Sequence, residues 1–364
     1  MKILYIAPLP PPVTGQSLAS QILLDELVRD HQVEVVNLSK QGFKQGVDSL
    51  ERVFQIFAII WEVFRRNRGC DVIYLTISES VAGNLKDLFI YLVCFGRLHR
   101  MVIHLHGGSF KKLLLDRFKS LFVLNRFFIR RLAASVVLGD SHAVIFDGLM
   151  DSKKIHVIPN FAEDYLFASQ DEVKGKFAQV LPLRVLFMSN LIEGKGYQQL
   201  LDAYLGLRDK VQRLVELDFA GAFESQNLKD EFLARIQGHE GVTYHGVVAG
   251  AQKKAILARA HVFCLPTSLN EGQPISILEA YASGCVVVTT DQGGIRDIFS
   301  NGMHGYQVLA NSADSIRRVL ESMVENVQPL SQIALRNREA ALVKYRTSSY
   351  NASLLEVITA IGAG

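Results

Sequence analysis

The chain of 364 residues has few cysteines, little net charge and no long apolar run, and each scarcity excludes a class of protein. The cysteines stand singly, with neither a CxxC pair nor a Cys/His cluster; they are Cys70, Cys94, Cys264 and Cys285. This spacing argues against a zinc site or a disulfide framework and agrees with a reducing cytoplasm. A net charge of only +3 gives no general reason to expect a nucleic-acid partner.

No apolar run reaches the roughly 18 to 20 residues that a transmembrane helix needs. The longest runs, Val53–Phe64 and Leu88–Phe95, are too short to span a bilayer. At the N-terminus, prolines follow the apolar run Ile3–Ala7, which predicts a first strand and a loop and not a signal peptide. That loop lacks the GxGxxG pattern of dinucleotide sites, so the sequence does not support NAD binding. We therefore expect a cytoplasmic protein.

Apolar residues make up 49% of the chain, mostly in short Val- and Ile-rich runs that alternate with helix-like segments. Such runs predict strands of parallel sheets that helices cover on both faces. Six predicted strands in each half indicate two doubly wound α/β domains. The predicted strands are Ile3–Ala7, Val33–Leu38, Val72–Ile77, Met101–Leu105, Ser135–Leu138, Ile155–Ile158, Arg184–Met188, Glu216–Ala220, Val242–Tyr244, Val262–Leu265, Val286–Thr289 and Tyr306–Leu309.

We place the two domains at 1–165 and 166–340, with their boundary near 161–182, and expect a helical C-terminal segment at 341–364. Doubly wound sheets bind ligands beyond the carboxyl ends of their strands. Two such domains therefore predict a site in the cleft between them.

The most informative stretch is EGQPISILEAYASG, Glu271–Gly284, with two carboxylates eight positions apart. Pro274 suits the first position of a helix, Ile275–Ala282 reads as that helix, and Gly284 is placed to end it. Glu279 has no Lys or Arg at helical spacing, and a buried carboxylate without a partner is expensive. We therefore expect a ligand rich in hydroxyls as its partner, and an anion at the helix N-terminus. The alternative is an ordinary buried helix with an incidental glutamate.

This stretch resembles the nucleotide-sugar motif of retaining glycosyltransferases with the GT-B fold, the large family 4 group. The family pattern is a Glu, seven residues and a second Glu within EG-x-P-x-x-x-x-E-A-x-A-x-G. The likeness continues into CVVVTTDQGG at 285–294, covers nearly the whole chain and is densest over 184–305. It implies two Rossmann-like domains, with the donor sugar nucleotide held by the second and the last helix packed on the first.

By this resemblance, Glu279 holds the ribose hydroxyls of a nucleotide-diphospho-sugar and Glu271 holds the hydroxyls of its sugar. Backbone amides around Gln273–Ser276 and the side chain of Lys195 are expected at the sugar and diphosphate. No metal ion is required, and the sugar nucleotide is a substrate, so no cofactor is expected. The donor-binding residues that the resemblance implies are Gly15, Gln16, Asn190, Lys195, His245, Gly246, Glu271, Gly272, Gln273, Pro274, Ile275, Ser276 and Glu279.

Lys195-Gly196 follows a predicted strand and opens a helix, where a lysine is a mobile cation suited to a diphosphate. Family members usually carry Gly-Arg-Leu shortly before this Lys-Gly pair, whereas this chain has Ser189-Asn190. Either another basic residue replaces the missing arginine or turnover is slower. A solvated surface lysine is the alternative for Lys195. In the family, the backbone just after the glycine of His245-Gly246 lies against the nucleotide base.

Two loops of the first domain attract attention. The prolines after the first strand lead to Gly15 at a helix start, a geometry that lets phosphates approach, although the loop could simply cap a strand. A later strand ends in His104-Leu105-His106, and alternation puts both histidines on one face without a visible third metal ligand. The resemblance assigns an active-site role to His106. A satisfied core histidine is the alternative for His106 and our interpretation of His104.

The segment 110–131 interleaves Phe and Leu with basic residues and contains a single acid, Asp116. Arg65, Arg66 and Arg68 follow another apolar run nearby. Such a basic amphipathic surface suits anionic lipid headgroups, although a core helix with a basic solvated side explains it too. The basic residues are Lys111, Lys112, Arg117, Lys119, Arg126, Arg130 and Arg131.

These features predict a retaining, metal-independent hexosyltransferase that uses a UDP- or GDP-sugar and a glycan or lipid-linked acceptor. We expect His106, Glu271 and Lys195 to be its catalytic residues. The expected setting is bacterial surface polysaccharide synthesis, such as O-antigen or capsule, at the inner face of the membrane. Two rivals remain: a nucleotide-sugar 2-epimerase, which shares the doubled architecture, and a non-catalytic sugar-nucleotide-binding subunit, which Asn190 favours.

Overall fold

The structure, a computed structural model, describes residues 1–39 and 49–363, with only the backbone described at 49–53. The chain divides into two compact units. Unit 1 contains Met1–Asn160, Asn270–Gln273 and Ser348–Gly364, and unit 2 contains Phe161–Leu269 and Pro274–Thr347. Each unit is built on one parallel sheet of six strands, as the alternation of apolar runs predicted.

The sheet of unit 1 has the strand order β2-β1-β3-β4-β5-β6. Strands β3 and β4 are buried along their whole length, which is why they read as continuous apolar runs. The strands are β1 (Lys2–Ala7), β2 (Gln32–Asn37), β3 (Val72–Thr76), β4 (Met101–Leu105), β5 (Ala134–Val137) and β6 (Ile155–Val157).

The helices of unit 1 connect these strands and cover the sheet. The last helix of the chain begins in unit 2 at Thr347 and continues in unit 1. There the Asn351 Nδ2 lies 3.3 Å from Glu26 Oε2 of the first helix. The helices are α1 (Gly15–Asp30), α2 (Ser49–Arg66), α3 (Val81–Val93), α4 (Lys119–Ile129), α5 (Asp140–Ala143) and, at the end of the chain, α14 (Thr347–Gly362).

The sheet of unit 2 has the order β12-β11-β10-β7-β8-β9. Its four central strands are almost wholly buried and form the larger core of the protein. The strands are β7 (Leu183–Met188), β8 (Val215–Ala220), β9 (Val242–Tyr244), β10 (Val262–Leu265), β11 (Val286–Thr289) and β12 (Gly305–Gln307).

Eight α-helices of the described part lie in unit 2. Helix α11 has the predicted bounds and ends in a Schellman motif, in which Gly284 (φ +64°) donates to Tyr281 and Cys285 donates to Ala280. The helices are α6 (Gln170–Lys176), α7 (Tyr197–Leu205), α8 (Asp209–Gln212), α9 (Gln226–Ile236), α10 (Gly250–Arg259), α11 (Ile275–Ala282), α12 (Ala313–Glu325) and α13 (Leu330–Lys344).

All twelve predicted strands are present, most within a residue or two of the predicted bounds. The predicted C-terminal helical segment is interrupted, because Tyr345 accepts a hydrogen bond from the Ala162 amide and Arg346 bridges to Ala162 before α14 begins. In the residues that the structure describes, no helix has both the length and the apolarity to cross a membrane.

Candidate functional site

The strand order of unit 2 defines a switch point at its centre. From β7 the chain builds β8 and β9 on one side, whereas β10, β11 and β12 lie on the other. Loops that leave the carboxyl ends of β7 and β10 therefore diverge at one place, and open parallel sheets bind ligands at such a point. The loop after β7 contains Lys195, and the residues of this unit that follow β10 directly are 266–269.

Glycines let the loop after β7 pack against the residues that follow β10. Gly194 and Gly196 have φ values of +85° and +87°, which favour glycine. A Cβ on Gly196 would overlap the backbone of Pro266, and the Gly194 carbonyl accepts a 2.7 Å hydrogen bond from the Ser268 amide. The backbone on both sides of Lys195 is thus packed against the residues that follow β10. Lys195 itself is half-buried.

Two helices begin at this switch point without side-chain caps. Helix α7 begins after Gly196 and α11 begins after Pro274, and neither residue supplies a capping hydrogen bond. The first-turn N–H groups and the positive end of each helix dipole are therefore suited to an anion. Pro274 itself is extended (ψ 114°) and caps α11 one residue before the position we predicted.

Glu279 lies on α11 and only 2% of it is exposed. Its carboxylate forms an ion pair with the ammonium group of Lys253 on α10, and Lys253 Nζ also lies 2.9 Å from Glu163 Oε2. Lys253 therefore supplies the partner for which the sequence analysis named a ligand as the candidate, and the ligand contact of Glu279 stays a prediction. The sequence concealed the pair because Lys253 lies 26 residues away and not at helical spacing.

Burial and charge pairing act in opposite directions on the pKa values of this cluster. Burial raises the pKa of Glu279 to about 7, even though Lys253 acts in the opposite direction. Burial acts to lower the pKa of Lys253, but Glu279 and Glu163 outweigh it and leave this pKa raised. The Tyr165 hydroxyl donates to Glu163 Oε2 at 3.2 Å. The cluster therefore holds a cation between two carboxylates beside an uncapped helix.

His245 and Gly246 follow the last residue of β9. His245 Nε2 lies 2.5 Å from Asp218 Oδ1, and the same oxygen accepts from Arg259. Gly246 has a φ of +70°, and its carbonyl accepts from the Gly221 amide at 2.8 Å. The side chain of His245 and the carbonyl of Gly246 are thus both used within the protein.

In unit 1, the rings of His104 and His106 stack with their centroids 3.9 Å apart, as the alternation along β4 predicted. His104 Nδ1 is 2.5 Å from the Tyr74 hydroxyl in the core. Both ring nitrogens of His106 are buried, and neither has a hydrogen-bond partner among the described residues. Burial lowers the pKa of His106 to about 3, so its imidazole is neutral at physiological pH.

Glu79, after β3, is a buried carboxylate that our sequence reasoning missed. Its Oε1 accepts from the Ser109 amide, and burial raises the pKa of its carboxyl despite bonds from the Ser109 and Phe110 amides. A Cβ on Gly107 would overlap this carboxylate. Glu79 therefore fixes the backbone of the loop that carries His106. No spacing rule links the two loops, because Glu79 and Ser109 are 30 residues apart in the chain.

The residues of unit 1 at 270–273 pack on the same loop. Asn270 Nδ2 donates to the Gly108 carbonyl at 2.6 Å. A Cβ on Gly272 would overlap the His106 carbonyl oxygen. Three of the predicted site residues, His106, Glu271 and Gly272, are thus brought together, and Glu271 remains half-buried.

Gln273 is anchored inside unit 1. Its Oε1 accepts from the Asn160 amide at 2.6 Å, and its Nε2 donates to the Leu138 carbonyl at 3.1 Å. Asn160 Nδ2 returns a 2.8 Å bond to the backbone carbonyl of Gln273. The side chain therefore positions the EGQP segment, and the role predicted for its backbone amide stays a prediction.

Helix α1 carries a capping box at its N-terminus. Thr14 Oγ1 accepts from the Ser17 amide at 3.1 Å, and Ser17 Oγ accepts from the Thr14 amide at 2.8 Å. This box uses neither the Gly15 nor the Gln16 amide, and Gly15 is exposed. The phosphate contact predicted for these two amides stays a prediction.

Across the described ranges, no three His, Cys, Asp or Glu side chains are grouped as metal ligands would be.

Comparisons with known proteins support the likeness to glycosyltransferases. Residues 182–326, about two fifths of the chain and including every strand of the second sheet, match the family model Glycosyl transferases group 1. The phosphatidyl-myo-inositol mannosyltransferase of Mycobacterium tuberculosis is 30% identical over 219 residues, 57% of this chain and 54% of that protein. The MMP alpha-(1->4)-mannosyltransferase of Mycolicibacterium hassiacum is 24% identical over 216 residues, 59% of this chain and 50% of that protein. The chain spans about half the length of these curated relatives.

Solved structures resemble the chain over nearly its whole length. Anabaena HepE in complex with UDP has a TM-score of 0.74 at 16% identity, and the likeness covers 99% of this chain and 100% of the HepE chain. WaaG, a glycosyltransferase involved in lipopolysaccharide biosynthesis, has a TM-score of 0.72 at 12% identity and covers 98% of both chains. Likeness at such identities establishes the fold, and the GT-B fold that the motif predicted is confirmed.

Proposed function

We propose that the chain is a retaining glycosyltransferase that moves a sugar from a nucleotide-diphospho-sugar to a glycan or lipid-linked acceptor. The observation that carries this proposal is the arrangement at the switch point of unit 2. Buried Glu279 lies on α11, one of two helices that begin there without side-chain caps, in a segment that matches the glycosyl transferase group 1 model.

We assign the groups of the donor to the groups of the protein that suit them. Carboxylates accept hydrogen bonds from sugar hydroxyls, so Glu279 takes the ribose and Glu271 takes the transferred sugar. Amides at the start of α11 and the side chain of Lys195 face the diphosphate. Gly15 and Gln16 contribute amides to phosphate binding, and the backbone after Gly246 takes the base. To bind ribose, Glu279 must share or release Lys253.

The chemistry that follows is electrostatic. Departure of the diphosphate leaves positive charge on the sugar and gathers negative charge at the leaving oxygen. Lys195 and the helix N-termini stabilise that negative charge, and Glu271 with neutral His106 orients the sugar. The acceptor hydroxyl attacks from the face that the diphosphate leaves, and a diphosphate oxygen takes its proton. This route uses neither a metal ion nor a cofactor, and it retains the configuration of the sugar.

The setting that we propose is synthesis of a bacterial surface polysaccharide, such as O-antigen or capsule, at the inner face of the membrane. WaaG acts in lipopolysaccharide biosynthesis, and a Salmonella typhimurium relative, 27% identical over 188 residues, is a putative colanic acid biosynthesis glycosyltransferase. HepE was solved with UDP, so UDP-sugars are the first donors to test and GDP-sugars the second.

The test is thermal stabilisation of the purified chain by UDP, GDP and their sugar conjugates, because a ligand that binds the native state raises the midpoint. We expect a shift with one nucleotide family, and we expect Glu279→Gln to lose most of it. The matched control is Glu240→Gln, an exposed glutamate of the same unit. No shift with any nucleotide, or an equal shift in Glu279→Gln, would overturn the site assignment.

Product analysis then separates the rival functions. Slow release of free sugar from the preferred donor, faster with an acceptor present, supports a transferase. Formation of an epimer of the donor would instead indicate a nucleotide-sugar epimerase. Binding without any turnover would favour a non-catalytic subunit.

A further inference from the structure

Helix α2 carries large apolar side chains on its outer side. Phe54, Phe57, Trp61 and Phe64 are 71%, 66%, 60% and 43% exposed. They recur at intervals of three and four residues, so they form one stripe along the helix. Single exposed apolar residues are normal in water-soluble proteins, whereas a stripe of four aromatic rings indicates a surface that something else covers.

Two further helices of unit 1, α3 and α4, also carry exposed apolar side chains. Helix α2 packs against α3, and α3 packs against α4. The ring of Phe95, which follows α3, stacks on Phe127 of α4 with the centroids 6.2 Å apart, although both residues are at least 40% exposed. Further exposed apolar side chains are Leu85, Phe89 and Leu92 on α3 and Val123 and Leu124 on α4.

Basic side chains lie directly on these rings. The Arg68 guanidinium is 5.7 Å from the centroid of Phe64, and that of Arg131 is 3.9 Å from the centroid of Phe127. Arg65 and Arg126 are exposed on the same helices. Aromatic rings beside arginines are the composition of surfaces that lie in the headgroup region of a bilayer.

We propose that the outer sides of α2, α3 and α4, called here the basic aromatic face, bind the surface of an anionic lipid bilayer. The charge on the face decides between possible occupants. A second copy of the chain would set the same arginines against each other, whereas anionic headgroups complement them and the acyl region accepts the rings. The sequence predicted a membrane contact for 110–131 alone. Much of that segment is buried in the core, including Phe110, Leu121 and Phe128, so the proposed contact surface also includes α2 and α3.

This inference rests on the proposed function, since a transferase held at a bilayer has direct access to lipid-linked acceptors. It does not depend on donor binding for its test. Trp61 is the only tryptophan of the chain and lies on the basic aromatic face, so intrinsic tryptophan fluorescence reports on this face alone.

The experiment uses the full chain with vesicles of phosphatidylcholine, pure or mixed with phosphatidylglycerol. We expect Trp61 emission to shift to the blue and the protein to float with the mixed vesicles, and brominated acyl chains to quench the emission. Pure phosphatidylcholine should bind less protein, and added salt should release part of it.

The variants separate apolar from basic contributions. We expect Phe57→Ser with Phe54→Ser to lower the partition coefficient at least about tenfold, and Arg65→Ser with Arg68→Ser to lower it only for the anionic vesicles. Matched controls in unit 2 are Leu309→Ser, at a residue 66% exposed like Phe57, and Arg213→Ser, and neither should change binding. Unchanged melting curves establish that the variants fold.

Two outcomes would overturn the proposal. One is the absence of flotation and of a Trp61 shift with either vesicle. The other is a dimer in sedimentation analysis that Phe57→Ser dissociates, which would assign the face to self-association. A chain that binds nucleotides but not vesicles refutes this inference alone, whereas one that binds vesicles but no nucleotide refutes the proposed function alone.

Discussion

Lys253 and Glu279 form an ion pair inside unit 2, with the ammonium group also held by Glu163. The lysine is neither exposed nor wholly solvent-free, with 12% of its side chain accessible, whereas Glu279 is almost fully enclosed. Under the proposed function, the carboxylate that should receive the ribose is therefore already occupied in the free chain. Donor binding and the stability of this pair become linked properties, which makes the pair the best place to test both.

Replacement of Lys253 should destabilise the protein, because it leaves Glu279 buried without a cation. We expect Lys253→Met to lose about 2 to 4 kcal/mol of unfolding free energy near pH 8, measured by denaturant titration. The loss should be smaller near pH 5, where Glu279 can take up a proton.

The neighbouring exposed residue gives the control, since Lys254→Met should change the unfolding free energy by less than about 0.5 kcal/mol. The double variant Lys253→Met with Glu279→Gln should recover part of the loss because it removes the unpaired charge. Equal stability of Lys253→Met and the wild type would contradict the role of the pair.

Glu279 should also make stability depend on pH in an unusual direction. Its pKa is raised from 4.5 to about 7, so the folded chain holds this proton more tightly than the unfolded chain does. The resulting stabilisation is complete below pH 4.5 and is lost as the pH rises to about 7, by an amount on the order of 3 kcal/mol. Buried His106 and His261, whose pKa values are lowered to about 3 and 4, act in the opposite direction.

The contribution of Glu279 must therefore be measured as a difference in unfolding free energy between two proteins. We expect the unfolding free energy of the wild type minus that of Glu279→Gln to fall between about pH 4.5 and 7. Denaturant titrations of both proteins at several pH values measure it. A difference that stays constant over this range would show that Glu279 is not titrating there.

Much of the fold was predictable because its signals are local. Val- and Ile-rich runs marked all twelve strands, and proline, apolar run and glycine gave the bounds of α11. Gly284 illustrates the reason: its positive φ and the two Schellman bonds depend on residues within a few positions of it. The domain limits at 165 and 340 remain predictions.

Contacts distant in sequence could not be read in the same way. Lys253 reaches Glu279 from another helix, and Glu79 reaches the loop after β4 from the loop after β3. Both contacts depend on how separate elements pack together, which periodicity does not encode. The exposed rings of α2 were likewise hidden, because an amphipathic pattern shows that a helix has an apolar side but not what covers it.

Gly272 should tolerate no side chain. A Cβ there would overlap the carbonyl oxygen of His106, and backbone cannot move aside as cheaply as the end of a flexible side chain can. We expect Gly272→Ala to cost about 1 to 3 kcal/mol of unfolding free energy and to reduce transfer.

The matched control is Gly96→Ala, where an added Cβ meets nothing within 4 Å. This variant should keep both the stability and the activity of the wild type, as measured by thermal melting and a sugar-release assay. A fully active Gly272→Ala would mean that the contact between 270–273 and the loop after β4 does not position the site.

Glu271 should be required for transfer but not for folding. Glu271 is half-buried beside Gly272 and His106. In the proposed function, its carboxylate binds the hydroxyls of the transferred sugar. Glu271→Ala should lower the rate of sugar transfer at least about a hundredfold, because it removes an interaction that orients the sugar as charge develops. Its melting midpoint should match that of the wild type, and the free nucleotide should still stabilise it, since Glu279 and the α11 amides remain.

Exposed Glu240→Ala serves as the control and should transfer sugar normally. If Glu271→Ala kept normal activity, the sugar would have to be held elsewhere; if it also lost nucleotide stabilisation, the segment 270–273 would be positioning α11 instead of contacting the sugar.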